Sequence, residues 1–460
     1  MIKAAALLAV KSENGLKREN METIFALSSG ALPAGVAVIR LSGGQVRALV
    51  QKFCGQVPKP RNMALLPVKT AQGEMLDKGL VSYFPAPHSF TGEDCAEFHL
   101  HGSKALISRF LAELGEQEHC RPAEAGEFAR RAFANGKIDL TEAEGLADLL
   151  TAETESQRKL AMQGASGALK KLYRDWRQRL IKARAMIEAE LDFAEEEEVK
   201  EAVFNQTEQD LAALHQDLQQ HIAQAKTAYI MRDGLKIVIA GAPNSGKSRF
   251  INRLSGRSVA LVSSNAGTTR DALEIRLIIE GIPVLVTDTA GLRQTTEQIE
   301  QMGIKTACAR IKEADLVLYL ADMHAEVSED NMAVVLPQTK AEIWSIGNKL
   351  DLGAGAREKW PFQLSAETGL GWAEFMQKLQ QFCREKTSQT AAILPARSRQ
   401  LYLLKTAAAE LNKALHSKNA GLELQAEYLR YAANALGRIT GDINVEDLLN
   451  VIFSEFCIGK

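Results

Sequence analysis

What the chain lacks narrows its class first. Its six cysteines (Cys54, Cys95, Cys120, Cys308, Cys383 and Cys457) form no C-x-x-C pair and sit in no histidine-rich stretch. That argues against a disulfide framework and a zinc site, and fits a reducing, cytoplasmic setting. No apolar run approaches the roughly 18 residues of a membrane span. An excess of one charge is missing too: 55 Lys and Arg face 57 Asp and Glu, a net charge of -2, so contact with nucleic acid would need a local basic face. The apolar run Ala4 to Val10 leads into a charged stretch instead of a small-residue cleavage site. Residues 1–20 therefore read as a loose extension, with Met21 as the functional beginning. What is present is ordinary globular material, 46% hydrophobic and 24% charged over 460 residues, a length that implies two to four domains.

Between Thr23 and Gly136, short β-rich runs (Gly35 to Arg40, Gly79 to Tyr83) mix with Gly, Pro and helical pieces such as Gln45 to Phe53. This predicts a compact α+β domain over 21–136. From Lys137 the chain is rich in Ala, Leu, Glu, Gln and Arg, with Leu169, Leu172, Trp176, Leu180 and Ile187 at helical spacing, so 137–233 is expected to be long helices. The acidic run Glu195 to Glu198 reads as a solvated helix end or loop. Strand and helix then alternate over 234–384. Leu235 to Ala240, Pro283 to Thr287, Leu316 to Ala321, Glu342 to Ile346 and Phe362 to Ser365 read as buried strands of a mainly parallel sheet with helices on both faces. Helical texture returns over 385–460. Because the two flanks look alike, the sheet domain is read as inserted into one helical domain.

The strand Leu235 to Ala240 runs into Gly241-Ala-Pro-Asn-Ser-Gly-Lys-Ser248, and a helical stretch follows. In that context the pattern is a P-loop. Its glycines let backbone N–H groups turn toward phosphates, the helix N-terminus adds partial positive charge, Lys247 neutralises the outer phosphates, and the Ser248 hydroxyl suits Mg²⁺. Asn244, Ser245, Gly246 and Arg249 belong to the same phosphate-facing run, with the Arg249 side chain expected to point away. Asp288-Thr289-Ala290-Gly291 ends a strand, bringing a carboxylate near Mg²⁺ and a glycine N–H toward the γ-phosphate. Thr268-Thr-Arg-Asp271 lies between the two, and Thr269 is the expected second Mg²⁺ ligand. Asn348-Lys349-Leu-Asp351 follows another strand. Its Asp can accept two hydrogen bonds that guanine offers and adenine does not, which favours GTP over ATP. Ser365-Ala366-Glu367 would close over the base, with the Ala366 N–H reaching the guanine oxygen. The ordered set implies a Ras-like P-loop G domain that binds and hydrolyses GTP, so the expected fold class is multidomain α/β plus α.

In Ras-like GTPases a Gln after the Asp-Thr-Ala-Gly segment orients the attacking water; here Leu292 stands there. Another residue must serve, and on the residues alone Glu297 and Glu300 are equal candidates. The motifs Gly92-Glu-Asp94, Gly126-Glu-Phe128, Asn135-Gly-Lys-Ile-Asp139, Asp288 to Arg293 and Phe456-Cys-Ile-Gly-Lys460, together with the P-loop, resemble the MnmE (TrmE) family of tRNA modification GTPases over roughly residues 21–460. The resemblance implies Glu300 as the water-orienting glutamate. It implies K⁺ held by Asn244 and by the loop Ser263-Ser264-Asn265-Ala266-Gly267 with Thr268, taking the place of an arginine finger. Many relatives carry a small hydroxyl residue where this chain has Arg249.

The resemblance further implies a one-carbon-loaded tetrahydrofolate, with 5-formyl-tetrahydrofolate as an analogue, contacted by Arg40, Glu97, Lys137 and Lys460 in the N-terminal domain, which also forms a homodimer. It implies an FAD-dependent MnmG-like partner and a functional thiol at Cys457, acting together on the wobble uridine of certain tRNAs to add an aminomethyl or carboxymethylaminomethyl group. On their own, Arg40, Lys137 and Glu97 read as surface charges and Cys457 as a small buried hydrophobe. His99 and His101 read as structural residues beside a turn. Lys170, Lys171, Arg174, Arg177, Arg179, Lys182 and Arg184 crowd one helix; a solvated face is the plainer reading, a phosphate-binding face the other. A G-domain assembly switch with no part in tRNA chemistry is the rival function.

Overall fold

The computed structural model describes residues 22–192, 198–257, 274–288, 309–325, 339–353, 360–387, 393–417 and 421–443, with 449, 452, 453, 456 and 459 near the C-terminus; over 191–192, 198–205 and 257 it describes backbone alone. The chain divides into two compact units, Met1–Ala147 with Thr440–Lys460, and Asp148–Ile439.

In the first unit, six strands, β1 Thr23–Leu27, β2 Ala34–Ser42, β3 Met63–Lys69, β4 Met75–Phe84, β5 Cys95–Gly102 and β6 Cys120–Pro122, form a sheet in the order β3-β4-β5-β2-β1-β6. Every neighbouring pair is antiparallel except β1 and β6. The period of two divides its faces. Ile39, Leu41, Ala96 and Phe98 join Val50 and Phe53 of helix α1 (Val46–Cys54) and Phe110 of α2 (Lys104–Gly115) in the core. Arg40 and Ser42, paired with Glu97 and Cys95, alternate with these core residues along β2 and β5.

Two further helices, α3 Glu127–Ala134 and α4 Leu140–Thr151, complete this unit's helical part. The C-terminal stretch was expected with the helical segment 385–460. There Ile452, Phe453 and Phe456 are buried against Ala129, Leu140, Ala143 and Ala147. Gly126 shows why the approach is close: at φ +67, an added Cβ would strike the Phe453 carbonyl. Farther on, Ser28 Oγ donates to the Gly459 carbonyl at 2.9 Å, fixing the tail beside the end of β1.

The second unit holds helices and a second sheet. Helices α5 Glu155–Ala165, α6 Ala168–Asp192 and α7 Glu198–Asp233 precede strand β7 (Leu235–Ala240). After α8 (Lys247–Arg257) come β8 Glu274–Ile279, β9 Ile282–Asp288, β10 Leu316–Asp322, β11 Glu342–Asn348 and β12 Phe362–Gln363, then α9 Trp372–Thr387, α10 Ser398–His416 and α11 Leu422–Thr440. The sheet order is β12-β11-β10-β7-β9-β8, parallel except for the β8–β9 hairpin. The central strand β10 reads Leu-Val-Leu-Tyr-Leu-Ala-Asp and is buried nearly throughout, as a strand covered on both faces must be. Gly234 alone separates α7 from β7; at φ +96 its bare Cα passes the Pro283 carbonyl, 3.1 Å from where a Cβ would stand. Nearby, Asp148, the first residue of this unit, accepts from Arg232 Nε at 3.2 Å and Arg397 NH2 at 2.7 Å, tying the end of α7 to the start of α10.

Of the expected helical stripe, Leu169, Trp176, Leu180 and Ile187 are buried with Leu214, Leu218, Leu404 and Leu429, while Leu172 is half-buried against this core and Tyr173 beside it is buried. His221 is enclosed there, its Nε2 3.0 Å from Tyr173 Oη and its ring edge-on to Trp176. Burial lowers its pKa from 6.5 to about 4. The fold therefore favours neutral imidazole: this residue's contribution is intact above pH 6.5 and is lost as the pH falls toward 4, by about 3 kcal/mol. Urea denaturation between pH 4 and 7 should show a slope that His221→Phe flattens, with the wild-type midpoint falling on acidification; parallel curves would refute the assignment.

Candidate nucleotide site

The P-loop leaves β7 at Gly241 and enters α8 at Lys247. Two glycines permit its path. A Cβ at Gly241, φ +149, would meet the Leu320 carbonyl, and one at Gly246, φ +95, the Asn348 amide. Asn244 turns at φ +62. Lys247 is buried, and its Nζ donates to Gly241 O at 2.9 Å and Ala242 O at 2.7 Å, arching over the loop. Ser248 is exposed on the first turn of α8. Asp288, buried at the end of β9, stands in register with Ile239 of β7, two residues before the loop begins.

The far end of the site is joined to the loop by one side chain. Asn348 Nδ2 donates to Ser245 O at 2.8 Å, and its Oδ1 accepts from the Ala366 N–H at 2.9 Å. The structure thus places Asn348 between the P-loop and the loop Ser365–Glu367, and gives to Asn348 the Ala366 N–H that was expected to face the guanine oxygen. Lys349, at φ +68, donates Nζ to Asp322 Oδ2 at 2.7 Å. Burial pushes the Asp322 carboxyl up, but Lys349 and the His324 backbone N–H outweigh it and hold it below its ordinary range. Asp351 follows, exposed, in the turn Leu350–Leu352. Ser365 is buried, and its Oγ accepts from the Thr368 N–H at 3.0 Å.

Arg249 is exposed, and its NH1 pairs with Glu367 Oε2 at 2.7 Å, because the first turn of α8 runs beside the loop that carries Glu367. One turn on, Arg253, which sequence reasoning passed over, donates Nε to Ala366 O at 2.6 Å and NH2 to Glu367 O. Of the residues expected at the functional sites, Ser263, Ser264, Asn265, Ala266, Gly267, Thr268, Thr269, Thr289, Ala290, Gly291, Glu300, Cys457 and Lys460 lie outside the described residues.

In the first unit, Arg40 and Glu97 meet across β2 and β5, Nε and NH2 lying 3.0 and 2.8 Å from Oε1. His99 Nε2 lies 3.4 Å from Glu97 Oε2. The Arg40 guanidinium sits over the rings of Phe90 and Phe128, at 5.6 and 5.9 Å. Lys137 is exposed, and its Cγ is 3.4 Å from where a Cβ on Gly92 would stand. Among the cationic residues of α6, Arg179 pairs with Asp217 and Arg184 with Glu188, which favours the solvated face over a phosphate track.

A P-loop opening a helix, a buried aspartate at the end of the neighbouring strand, and an asparagine that braces the loop to Ser365–Glu367 define a P-loop GTPase. Residues 140–457 match the MnmE helical domain, and residues 23–137 match the GTP-binding protein TrmE N-terminus. The tRNA modification GTPase MnmE of Bartonella quintana is 57% identical over 441 residues, covering 96% of this chain and 100% of the relative. That of Brucella canis is 55% identical over 439 residues, 95% of this chain and 98% of the relative. The G domain of Thermotoga maritima FeoB is 23% identical with a TM-score of 0.26, covering 32% of this chain and 98% of that one, a score too low to weigh. The chain belongs to the MnmE family of tRNA modification GTPases. No described helix is long and apolar enough to cross a membrane.

Proposed function

We propose that the chain is a K⁺-stimulated GTPase that, with an FAD-dependent partner, installs an aminomethyl or carboxymethylaminomethyl group on the wobble uridine of certain tRNAs. The observation carrying the GTPase part is the Asn348 bridge, which joins the P-loop at Ser245 to the loop Ser365–Glu367. In this reading Lys247 neutralises the outer phosphates, Asp351 reads the ring and Glu300 orients the attacking water. Ser248 and Thr269 would hold Mg²⁺; an exposed Ser248 hydroxyl and the Asp288 carboxylate at the end of the neighbouring strand are oxygen donors of the kind that suits it. Asn244, whose amide oxygen also suits a hard cation, would hold K⁺ with Ser263, Asn265 and Thr268. Both cations would supply fixed positive charge against the phosphates.

The N-terminal unit is read as the homodimer and folate part. Arg40, Lys137 and Lys460 provide cations for an anionic glutamate tail, and Glu97 an acceptor for a pterin edge. The Arg40–Glu97 pair over Phe90 offers both in one place. Cys457 is the thiol assigned to the tRNA chemistry.

GTP turnover by the full chain should run at least about tenfold faster in K⁺ than in Na⁺ at equal ionic strength; equal rates would remove the cation part. Nucleoside analysis of tRNA incubated with the chain and its partner tests the rest. A wobble uridine left unmodified, with GTP turnover intact, would favour the assembly switch.

A further inference from the structure

Arg249 and Arg253 lie one helical turn apart on α8, and both reach the same loop. Arg249 takes the Glu367 carboxylate, while Arg253 takes the carbonyls of Ala366 and Glu367. The loop is shaped to receive Arg253. Gly369, at φ +87, offers no Cβ, and one placed there would collide with the guanidinium. The outer ring of the clamp is Trp372, whose centroid lies 5.9 Å from the Arg253 Cζ. A trans peptide points its N–H opposite its C=O, so by holding two successive carbonyls Arg253 sets which way the Glu367 and Thr368 N–H groups face. The Thr368 N–H goes to Ser365 Oγ at 3.0 Å.

We propose that Arg253, assisted by the Arg249–Glu367 pair, is a positioning residue that locks the base-closing loop to the P-loop helix and thereby sets how long a guanine nucleotide stays bound. The inference rests on the reading that Ser365–Glu367 closes over the base. The inner hydrogen bonds come from a charged donor to backbone, the stronger kind. The outer pair is solvent-exposed, with side chains 71% and 55% accessible, and contributes little on its own. Arg253 is therefore the dominant member.

The test is release of a fluorescent guanosine diphosphate from the full chain, alongside steady-state GTP turnover. Arg253→Met should raise the release rate about tenfold and raise KM, while kcat at saturating GTP changes by less than about twofold. Arg253→Lys, which keeps a donor but not the fork, should fall between. Gly369→Ala, which expels the guanidinium without touching α8, should reproduce Arg253→Met, and the double variant should be no worse than either. Glu367→Gln, a surface change that spares the fold, should raise release about twofold at low salt and not at high salt. Asp351→Asn is the control for the underlying reading. If it weakens GTP binding while Arg253→Met and Glu367→Gln leave release unchanged, the clamp is wrong and the site stands; if Asp351→Asn has no effect, the base-closing reading itself fails.

Discussion

Replacing Lys247 by alanine is expected to lower single-turnover GTP hydrolysis by about three orders of magnitude, with the thermal midpoint almost unchanged. Lys247 is a buried cation whose Nζ spans the mouth of the loop between the Gly241 and Ala242 carbonyls. Nothing else among the described residues of Gly241–Ser248 carries positive charge, so the phosphates lose their one fixed local counter-charge from this segment. Stability is spared because the two carbonyls released belong to a loop, where water can replace the ammonium. Arginine should rescue poorly, since its planar fork cannot enter where a compact ammonium fits. Hydrolysis within tenfold of wild type at saturating GTP would mean that the loop does not work as a phosphate cradle.

The G domain was legible because its signals are local. A glycine-rich turn between an apolar strand and a helix fixes its own geometry, and β7, β9 and β10 are runs of mostly buried residues that need no partner to be recognised. The strand β8, Glu274–Ile279, escaped notice because it sits at the sheet edge with alternating burial and its Arg276 breaks the apolar run. The two-residue β12 fell short of its expected span, Phe362 to Ser365, because the chain turns away after Gln363 to form the Ser365 loop. Which residues the C-terminal tail packs against was not legible: helical composition does not say which core a segment joins, and Phe453 packs with Ala129 and Leu140, more than 300 positions away in sequence. Arg253 was invisible for the same reason. Its partners, Ala366 and Glu367, are set by the register of β11 against β12, which brings a loop far along the chain back to α8.

The site's two ends also explain how the helical segments reach it. Helix α7 passes through Gly234 into β7, and β7 ends at Gly241, so the phosphate loop is joined to a 36-residue helix by a six-residue strand. Because the Arg232–Asp148–Arg397 contacts fix the end of that helix, a shift in the loop has a short, stiff route into the helical layer.

Asp351→Asn is expected to weaken GTP binding by about a hundredfold or more and to improve binding of xanthosine triphosphate. Guanine presents a ring N–H and an exocyclic amino group side by side, and a carboxylate accepts from both. An asparagine accepts one and sets its own NH₂ against the other donor, so a hydrogen bond becomes a clash of donors. Xanthine carries a carbonyl in place of the amino group, and the same NH₂ then has an acceptor. The backbone holds position 351 where this exchange matters: Lys349 at φ +68 and its 2.7 Å bond to Asp322 fix the turn, while Asp351 itself is exposed and braced by no structural role that its loss would disturb. Displacement of a fluorescent guanine nucleotide by GTP, xanthosine triphosphate and ATP gives the three affinities in one assay. ATP should stay weak in both proteins, since adenine offers no adjacent donor pair. If the variant binds GTP within threefold of wild type, position 351 does not read the ring, and the selectivity of the site must be sought in the loop held by Arg253.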